Sequence, residues 1–301
     1  MKKFELITPV LLLVFNRIDT TKKVFEEIRK VKPKELFITA DGPRNDKEKE
    51  KTDAVRNYIL KSINWECKIK TLFRNKNLGC KYAVSSAIDW FFDNVEQGII
   101  LEDDCLPSQS FFQFCQEILE KYKDDERIMQ ISGTNIELKS DVKADYFFSR
   151  SCSVWGWATW RRAWKKYDIK MTLWPRFKLE KKIKVFGYDL ISKLKSIRFF
   201  DNTYKNKIDT WDFQWDFACK INNGLSIVPR RNLIKNIGFG GGATHTNNYG
   251  NCKSLDNFNI DFPLTHEKIF LPDINYEKKY SVFFRPNFIR TIFVKMFMKK
   301  R

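Results

Sequence analysis

The sequence predicts an α/β protein, with a doubly wound, mostly parallel sheet flanked by helices. The first observation is that four short apolar segments before residue 107 alternate with stretches of helical pattern. The second is that the 301 residues are 43% hydrophobic, with 27 Phe and 9 Trp, which is enough for a substantial core. Neither GxGxxG nor GxxxxGK[ST] occurs, so the sequence has neither a dinucleotide fingerprint nor a P-loop.

The first half of the chain alternates predicted strands and helices. Its first strand is a continuous apolar run, which is typical of a strand buried on both faces of a parallel sheet. The helices are indicated by apolar residues at helical spacing and by turn residues at their ends. The predicted strands are 9–15, 35–40, 67–73 and 98–101, and the predicted helices are 19–30, 46–62 and 81–94.

The second half has less regular patterns. The predicted helices are 111–123 and the basic 179–200, and the predicted strands are 128–135, 146–150 and 226–229. Four tryptophans in positions 155–164 admit two interpretations. They form an aromatic core helix, or they form a wall for the apolar face of a sugar beside Arg161 and Arg162, which would meet phosphates.

Three consecutive acids, Glu102, Asp103 and Asp104, follow the apolar run 98–101. The carboxyl end of such a strand is the usual place for a ligand site in an open α/β sheet. Adjacent carboxylates repel one another unless a cation or hydrogen-bond donors compensate, and Mg²⁺ and Mn²⁺ prefer oxygen ligands. We therefore predict a metal–diphosphate site at this strand end. The alternative is a solvated acidic turn that opens the next helix.

A second group of acids lies among tryptophans in the segment 208–217. It contains Asp209, Asp212 and Asp216, and a carboxylate in an apolar setting has a raised pKa and can act as a base. Farther along, the glycine-rich segment 238–248 is a candidate loop for folding over a ligand. His245 and His266 are the only histidines, and their surroundings do not suggest a two-histidine metal site.

Charge and cysteine content narrow the function classes. The net charge of +18 favours anionic partners such as nucleic acid, anionic membrane or phosphorylated substrates. The seven scattered cysteines include no CxxC pair, which argues against zinc and disulfide frameworks and fits a reducing cytosol. No segment has the length of a membrane-spanning helix. The basic amphipathic segment 287–301 either lies in a membrane interface or docks on the body of the protein.

The order of these segments resembles GT-A fold nucleotide-sugar glycosyltransferases, in particular bacterial relatives of the inverting N-acetylglucosaminyltransferase I family. The resemblance covers roughly residues 8–250. The acidic triplet followed by Pro and paired Phe is its most specific part, and the other segments gain weight from their order. The matching segments are 9–17, 41, 102–104 with 110–112, 156–157, 211–212 and 238–245.

The resemblance implies a role for each matching residue. Asp104 would bind Mn²⁺ or Mg²⁺, and Asp212 would be the general base on the acceptor hydroxyl, with Asp209 and Asp216 as rivals. The loop 238–248 would close over the donor. The residues implied to contact the donor or the water ligands of the metal are Asn16, Arg17, Asp41, Glu102, Asp103 and His245.

The function implied is a metal-dependent, inverting glycosyltransferase. It would move a sugar from a nucleotide-sugar, with a UDP-sugar favoured, to a bacterial surface glycan or glycolipid such as lipopolysaccharide, lipooligosaccharide or capsule. Residues 1–270 would form the transferase domain, with a donor half 1–135 and an acceptor half 136–270, followed by the tail 271–301. We expect a cytoplasmic protein, peripheral on the anionic inner face of the cell membrane, without a nucleic-acid partner.

Two alternatives come from other classes. The charge of +18 motivates a nucleic-acid-binding protein, although no recognised nucleic-acid module appears. The basic tail motivates a membrane-surface scaffold with a degenerate transferase site.

Overall fold

The computed structural model describes residues 4–136, 143–180, 182, 190–238 and 255–283. The strands are β1 (Val10–Val14), β2 (Glu35–Ala40), β3 (Lys68–Phe73), β4 (Gln97–Glu102), β5 (Cys105–Pro107), β6 (Ile128–Ser132), β7 (Tyr146–Ser149), β8 (Trp157–Trp160), β9 (Leu225–Pro229) and β10 (Ile234–Asn236). The helices are α1 (Ile18–Val31), α2 (Asp46–Ser62), α3 (Gly79–Asn94), α4 (Gln109–Lys121), α5 (Arg161–Trp164), α6 (Trp174–Leu179), α7 (Leu190–Tyr204), α8 (Asp212–Ile221) and α9 (Ile274–Phe283).

The main sheet has eight strands in the order β3-β2-β1-β4-β8-β6-β9-β7, and β10 pairs with β5 in a separate two-stranded sheet. The four neighbouring strands β3, β2, β1 and β4 are parallel to one another, and β6 is parallel to β9. The strand β8 is antiparallel to both of its neighbours, and β7 is antiparallel to β9. The predicted α/β class, with a mostly parallel sheet flanked by helices, is confirmed.

The core lies on both faces of the sheet, as the unbroken apolar strands predict. Alternate residues of β1 point to opposite faces. Val10, Leu12 and Val14 pack with α1, α2 and α4, whereas Leu11 and Leu13 pack with α3, α5 and α8. A smaller cluster joins α6, α7 and α8 around Trp174, Phe200 and Phe217.

The strand order reverses at β1, which lies between β2 and β4. The parallel register places Leu13 opposite Glu102, so both strands end at the same edge of the sheet. Such a reversal leaves a crevice outside the carboxyl ends of the two strands, where ligands bind in open α/β sheets. The acids of the predicted metal site therefore lie at this crevice.

The tryptophan-rich segment corrects one prediction. It is mainly a strand, β8, followed by the single turn α5, rather than a core helix. Trp157 and Trp160 are 0% and 2% exposed and belong to the clusters on opposite faces of the sheet. A strand buried on both faces has no apolar–polar alternation, so its period could not be recognised from the sequence.

The interpretation of Arg161 and Arg162 as phosphate ligands is wrong in this structure. Arg161 donates to the carbonyl oxygens of Phe92 and Val95, at the end of α3. Arg162 donates to the carbonyl oxygens of Tyr122 and Lys123 at 2.9 and 2.7 Å, just after α4. Both guanidinium groups therefore satisfy backbone groups at helix ends.

The predicted helix 179–200 appears as α7, which begins at Leu190 and ends at Tyr204. The elements β5, β8, β10, α6, α8 and α9 were not predicted as such. Helix α9 packs on β7 through the rings of Tyr276 and Phe147, whose centroids are 4.8 Å apart. None of the described helices is long and apolar enough to cross a bilayer. The domain boundaries stay a prediction, and the segment 287–301 lies outside the described residues.

Candidate active site

Three acids lie at the carboxyl end of β4. Glu102 is its last residue, and Asp103 and Asp104 form the turn into β5. Asp103 is 3% exposed and Asp104 is 9% exposed, while Glu102 is half-buried. The alternative of a solvated acidic turn is therefore wrong. Buried carboxylates require compensation, so their partners decide what this turn can do.

The cation facing these acids is Arg17, which follows β1. Its Nη2 forms an ion pair with Asp103 Oδ1 and lies 2.9 Å from Asp104 Oδ2. The Phe15 N–H donates to Asp103 Oδ2 at 3.3 Å, so both oxygens of Asp103 are engaged. Burial alone would lower the pKa of Arg17, but the charges of Asp103 and Asp104 raise it above its usual value. Arg17 is therefore a permanent cation that ties the end of β1 to the end of β4.

One guanidinium does not balance the three carboxylates. Burial, reinforced by the charges of Asp104 and Asp103, raises the pKa of Glu102 to about 8 despite the opposing charge of Arg17. Burial also raises the pKa of Asp103 to about 6, although Arg17 opposes this shift. Among the described residues, Arg17 is the cation in contact with these carboxyls, so the raised pKa values reflect their burial and mutual repulsion.

The glycine-rich segment starts against Asp104. The Ile237 N–H donates to the Asp104 carbonyl oxygen at 2.8 Å, and the pairing of β10 with β5 places Asn236 opposite Cys105. A Cβ atom on Gly238 would overlap the Asp104 carboxylate, so only glycine allows this approach. The start of the predicted loop therefore touches the predicted metal ligand. Residues 239–254, with His245, lie outside the described residues.

Asn16 serves a different acid from its neighbour Arg17. Its Nδ2 donates to Glu48 Oε1 at 2.8 Å. Glu48 also accepts bonds from the Arg44 guanidinium and from the Arg44 N–H at 2.8 Å. The side-chain hydrogen bonds from Arg44 lower the pKa of Glu48 to about 2. A surface cavity of about 540 Å³ lined by residues 16–20 and by α2 opens beside Asn16 and Arg17.

The start of α3 is occupied by two aspartates from distant positions. Asp41, just after β2, accepts from the N–H groups of Leu78 and Gly79 at 3.0 and 3.2 Å. Asp209 accepts from the N–H groups of Cys80 and Lys81 at 3.0 and 2.9 Å. These are donors that a helix N-terminus otherwise leaves unsatisfied. The structure thus places Asp41 as a helix cap, and its predicted donor contact stays a prediction.

Asp212 is the first residue of α8. Its Oδ1 accepts bonds from the Thr210 hydroxyl and from the Phe213 N–H, the latter at 2.9 Å. The charge of Asp212 is among the causes that raise the pKa of Glu102, after burial and the charges of Asp104 and Asp103. Asp212 is thus within electrostatic reach of the acids at β4, as its predicted role requires.

The two rivals of Asp212 are bound elsewhere. Both carboxylate oxygens of Asp209 accept hydrogen bonds from the start of α3. Asp216 forms an ion pair with Lys220, one turn along α8. The charge of Asp216 contributes to the raised pKa values of Cys219 and Lys220. Of the three candidates, Asp212 is the one whose charge is among the main causes of the raised pKa of Glu102.

The side chains available as ligands restrict how a metal ion could bind here. Within the described ranges, no group of three or more His, Cys, Asp or Glu side chains could hold a metal ion. The oxygens at the end of β4 suit Mg²⁺ or Mn²⁺, and Mg²⁺ is usually bound through one or two carboxylates plus substrate phosphates and water. The residues therefore fit an ion that shares its coordination with a bound diphosphate.

Two contributors to this region were missed by the sequence reasoning. Glu48 carried a local signal, because Asn45 precedes it by three residues and accepts from its N–H at 3.0 Å, as in a capping box. The capping role of Asp209 carried none, because its partners Cys80 and Lys81 lie more than 120 residues earlier.

Comparisons with known proteins found distant structural similarity only. No protein-family model matches the chain, and no curated protein matches its sequence. HddC from Yersinia pseudotuberculosis is 12% identical, with 42% of this chain and 57% of that chain covered and a TM-score of 0.29. The mannosyltransferase PcManGT from Pyrobaculum calidifontis, in complex with GDP-Man and Mn²⁺, is 13% identical, with 54% and 49% covered and a TM-score of 0.35.

A third similar structure, TarS 1–349 from S. aureus, is 9% identical, with 54% of this chain and 50% of that chain covered and a TM-score of 0.36. The chain thus spans about half the length of the solved structures it matches. Similarity at this level carries no argument about activity, so the function must be argued from the residues of this chain.

Proposed function

We propose that the protein is a metal-dependent, inverting glycosyltransferase of the GT-A type. It transfers a sugar from a nucleotide-sugar, with a UDP-sugar favoured, to a bacterial surface glycan or glycolipid such as lipopolysaccharide, lipooligosaccharide or capsule. The observation that carries the proposal is the group of three carboxyls at the strand-order reversal, where Arg17 is the cation that contacts them among the described residues. A divalent cation with a diphosphate is the ligand pair that completes such a site.

The donor end of the site follows from the ends of β1 and β4. Asp104 would hold Mn²⁺ or Mg²⁺, and the bound ion would offset the charge that develops on the departing nucleoside diphosphate. Arg17 lies beside Asp104 at 2.9 Å, and its planar guanidinium suits the oxygens of a phosphate. The contacts proposed for Asn16, Asp41, Glu102, Asp103 and His245 with the donor complete this assignment.

The chemical step needs one base and no covalent nucleophile, by analogy with inverting single displacements on sugars. Asp212 accepts the proton of the acceptor hydroxyl. The hydroxyl oxygen then bonds to the anomeric carbon, and the bond from that carbon to the diphosphate oxygen breaks. This role is supported by the position of Asp212 on α8, within electrostatic reach of Glu102.

The net charge of +18 supports a peripheral position on an anionic membrane at the cytoplasmic face, where a glycolipid acceptor would be met. The segment proposed for this contact is the basic amphipathic tail 287–301. Its removal is expected to shift the protein from the membrane fraction to the soluble fraction without changing its melting curve. Loss of cooperative melting would instead identify the tail as part of the folded body.

The experiment for the transferase proposal is the release of nucleoside diphosphate from a panel of nucleotide-sugars, with Mn²⁺, Mg²⁺ or excess EDTA. Turnover is expected only with metal and is expected to be lost in Asp104→Asn, which keeps the size of the side chain. Asp53→Asn is the matched control, because it removes the same charge from an exposed pair with Lys49 on α2. Full activity in EDTA, or in Asp104→Asn, would contradict the proposal.

A further inference from the structure

The segment that carries Asp212 is fastened to the first turn of α3. Asp209 accepts from the N–H groups of Cys80 and Lys81, and the Lys81 ammonium donates to Asn206 Oδ1 at 2.7 Å. Lys81 is only 6% exposed, so this contact is shielded from water. We call these three bonds the α3 clasp. The clasp joins two parts of the chain that are more than 120 residues apart.

The close approach in the clasp depends on a glycine. Gly79 has a φ of +76°, a conformation that glycine adopts readily and other residues rarely. A Cβ atom at this position would lie 2.9 Å from Asp209 Oδ2. The chain thus has a residue without a side chain where the Asp209 carboxylate meets the helix start.

The clasp is connected to Asp212 by short, ordered links. Thr210, the residue after Asp209, donates its hydroxyl to Asp212 Oδ1 and accepts at its carbonyl from Gln214 Nε2 at 2.8 Å. Trp211 stacks on Trp157 in the core, with ring centroids 5.7 Å apart. A displacement of Asp209 would therefore be passed to Asp212 with little room for relaxation.

We propose that Asp209 is a positioning residue, which holds the base Asp212 at the correct distance from a donor bound at the end of β4. The inference rests on the proposed function and deepens it, because it names the element that aligns the acceptor side of the site with the donor side. It also has a consequence for the donor. The first N–H groups of α3 donate to Asp41 and Asp209, so a bound diphosphate would rely on Arg17 and a metal ion rather than on this helix terminus.

The test compares Asp209→Ala with Asp41→Ala, since each removes half of the cap on the same helix. Misplacement of a reacting group by about 1 Å can lower a rate by about 10²-fold, so we expect a loss of this order in single-turnover transfer for Asp209→Ala. Its donor affinity in Mn²⁺ should stay nearly unchanged. Asp41→Ala, on the donor side, should weaken donor binding instead.

Amide hydrogen exchange reports on the clasp independently of activity. Asp209→Ala should speed exchange at Cys80 and Lys81, whereas Asp41→Ala should speed it at Leu78 and Gly79. Asn206→Ala, which removes only the Lys81 contact, should give a smaller rate loss in the same direction. It serves as the measured variant if Asp209→Ala fails to fold.

Two outcomes separate this inference from the proposed function. If the wild-type protein turns over no nucleotide-sugar, the proposed function is wrong and this inference falls with it. If the wild type is active and faster exchange at Cys80 and Lys81 leaves the single-turnover rate unchanged, the inference alone is wrong. A rate loss matched by an equal loss of donor affinity would also overturn it, because the clasp would then serve donor binding.

Discussion

Two glutamates near the end of β1 differ in how they are compensated. Glu48 receives bonds from Asn16 and Arg44, and those from Arg44 lower its pKa to about 2. Glu102 lies beside Asp103 and Asp104, and burial with their charges raises its pKa to about 8. Asn16 therefore contacts Glu48, whose carboxylate is stabilised by its hydrogen bonds. The next residue, Arg17, contacts the acids beside Glu102, where repulsion between carboxylates remains. An acid with a raised pKa at a ligand crevice, such as Glu102, is a candidate for a functional site.

The aspartates at the start of α3 belong to the compensated kind. Asp41 and Asp209 each accept from at least two backbone N–H groups. Glu102 differs from them, because burial and the charges of Asp104, Asp103 and Asp212 raise its pKa. Single substitutions of these acids and of their partners should separate residues that affect stability from residues that affect transfer.

The largest effect is expected for Asp212→Asn. Removal of a general base typically lowers the rate by about 10²–10⁴-fold, so single-turnover transfer should fall within this range. Donor affinity measured by calorimetry in Mn²⁺ should be nearly unchanged, because Arg17 and Asp104 remain. Asp216→Asn, on the same helix, is the control and should transfer at a rate near that of the wild type. A fast Asp212→Asn enzyme would end the assignment.

Arg17→Ala should destabilise the metal-free protein by about 3–5 kcal/mol, because it leaves the buried carboxylates of Asp103 and Asp104 without their cation. The measurement is chemical denaturation with and without Mn²⁺, and added Mn²⁺ should restore part of the loss. Lys30→Ala breaks an exposed pair with Glu27 and should change stability by less than about 1 kcal/mol. An equal loss in both variants would show that Arg17 is an ordinary surface cation.

Glu48→Gln should destabilise the protein by about 1–3 kcal/mol at neutral pH, because bonds from charged donors to the carboxylate are weakened. The pKa of Glu48 is about 2 in the folded protein against a usual 4.5, so its contribution is present above pH 4.5 and disappears as the pH falls towards 2. Thermal melting of the wild type and Glu48→Gln between these two pH values is the measurement. The difference in stability should shrink as the pH falls.

Glu102→Gln is the matched change in the uncompensated group. It removes a like charge beside Asp104 and Asp103, so it should stabilise the metal-free protein at alkaline pH, where Glu102 is ionised. A loss of stability at alkaline pH would mean that Glu102 has a partner in the metal-free protein, and the contrast with Glu48 would fail.

The sequence predicted the parallel half of the sheet more closely than the other half. The run Val10–Val14 and the alternating helices have strong periodicity, so the elements up to β4 were placed within about two residues. The antiparallel insertion of β8 was missed, because its tryptophans pack on both faces. The short strands β5 and β10 were missed as well, since three residues give no measurable period.

Some features of the candidate site were also recognisable from the local sequence, and others were not. Glu102, Asp103 and Asp104 were recognisable because consecutive acids after an apolar strand are a local signal. Their pairing with Arg17 and the approach of Gly238 depend on strand order, which the local pattern does not contain. The clasp between Asp209 and α3 joins distant segments, so only the folded chain reveals it.

The carboxylates at the end of β4 are expected to bind a divalent cation together with a nucleoside diphosphate. Calorimetric titration of UDP into the protein tests it directly, with Mn²⁺ or with EDTA, for the wild type, Asp104→Asn and the control Asp53→Asn. Tight binding of UDP is expected only when Mn²⁺ and Asp104 are both present, with Asp53→Asn equal to the wild type. The same UDP affinity in EDTA, or in Asp104→Asn with Mn²⁺, would contradict it.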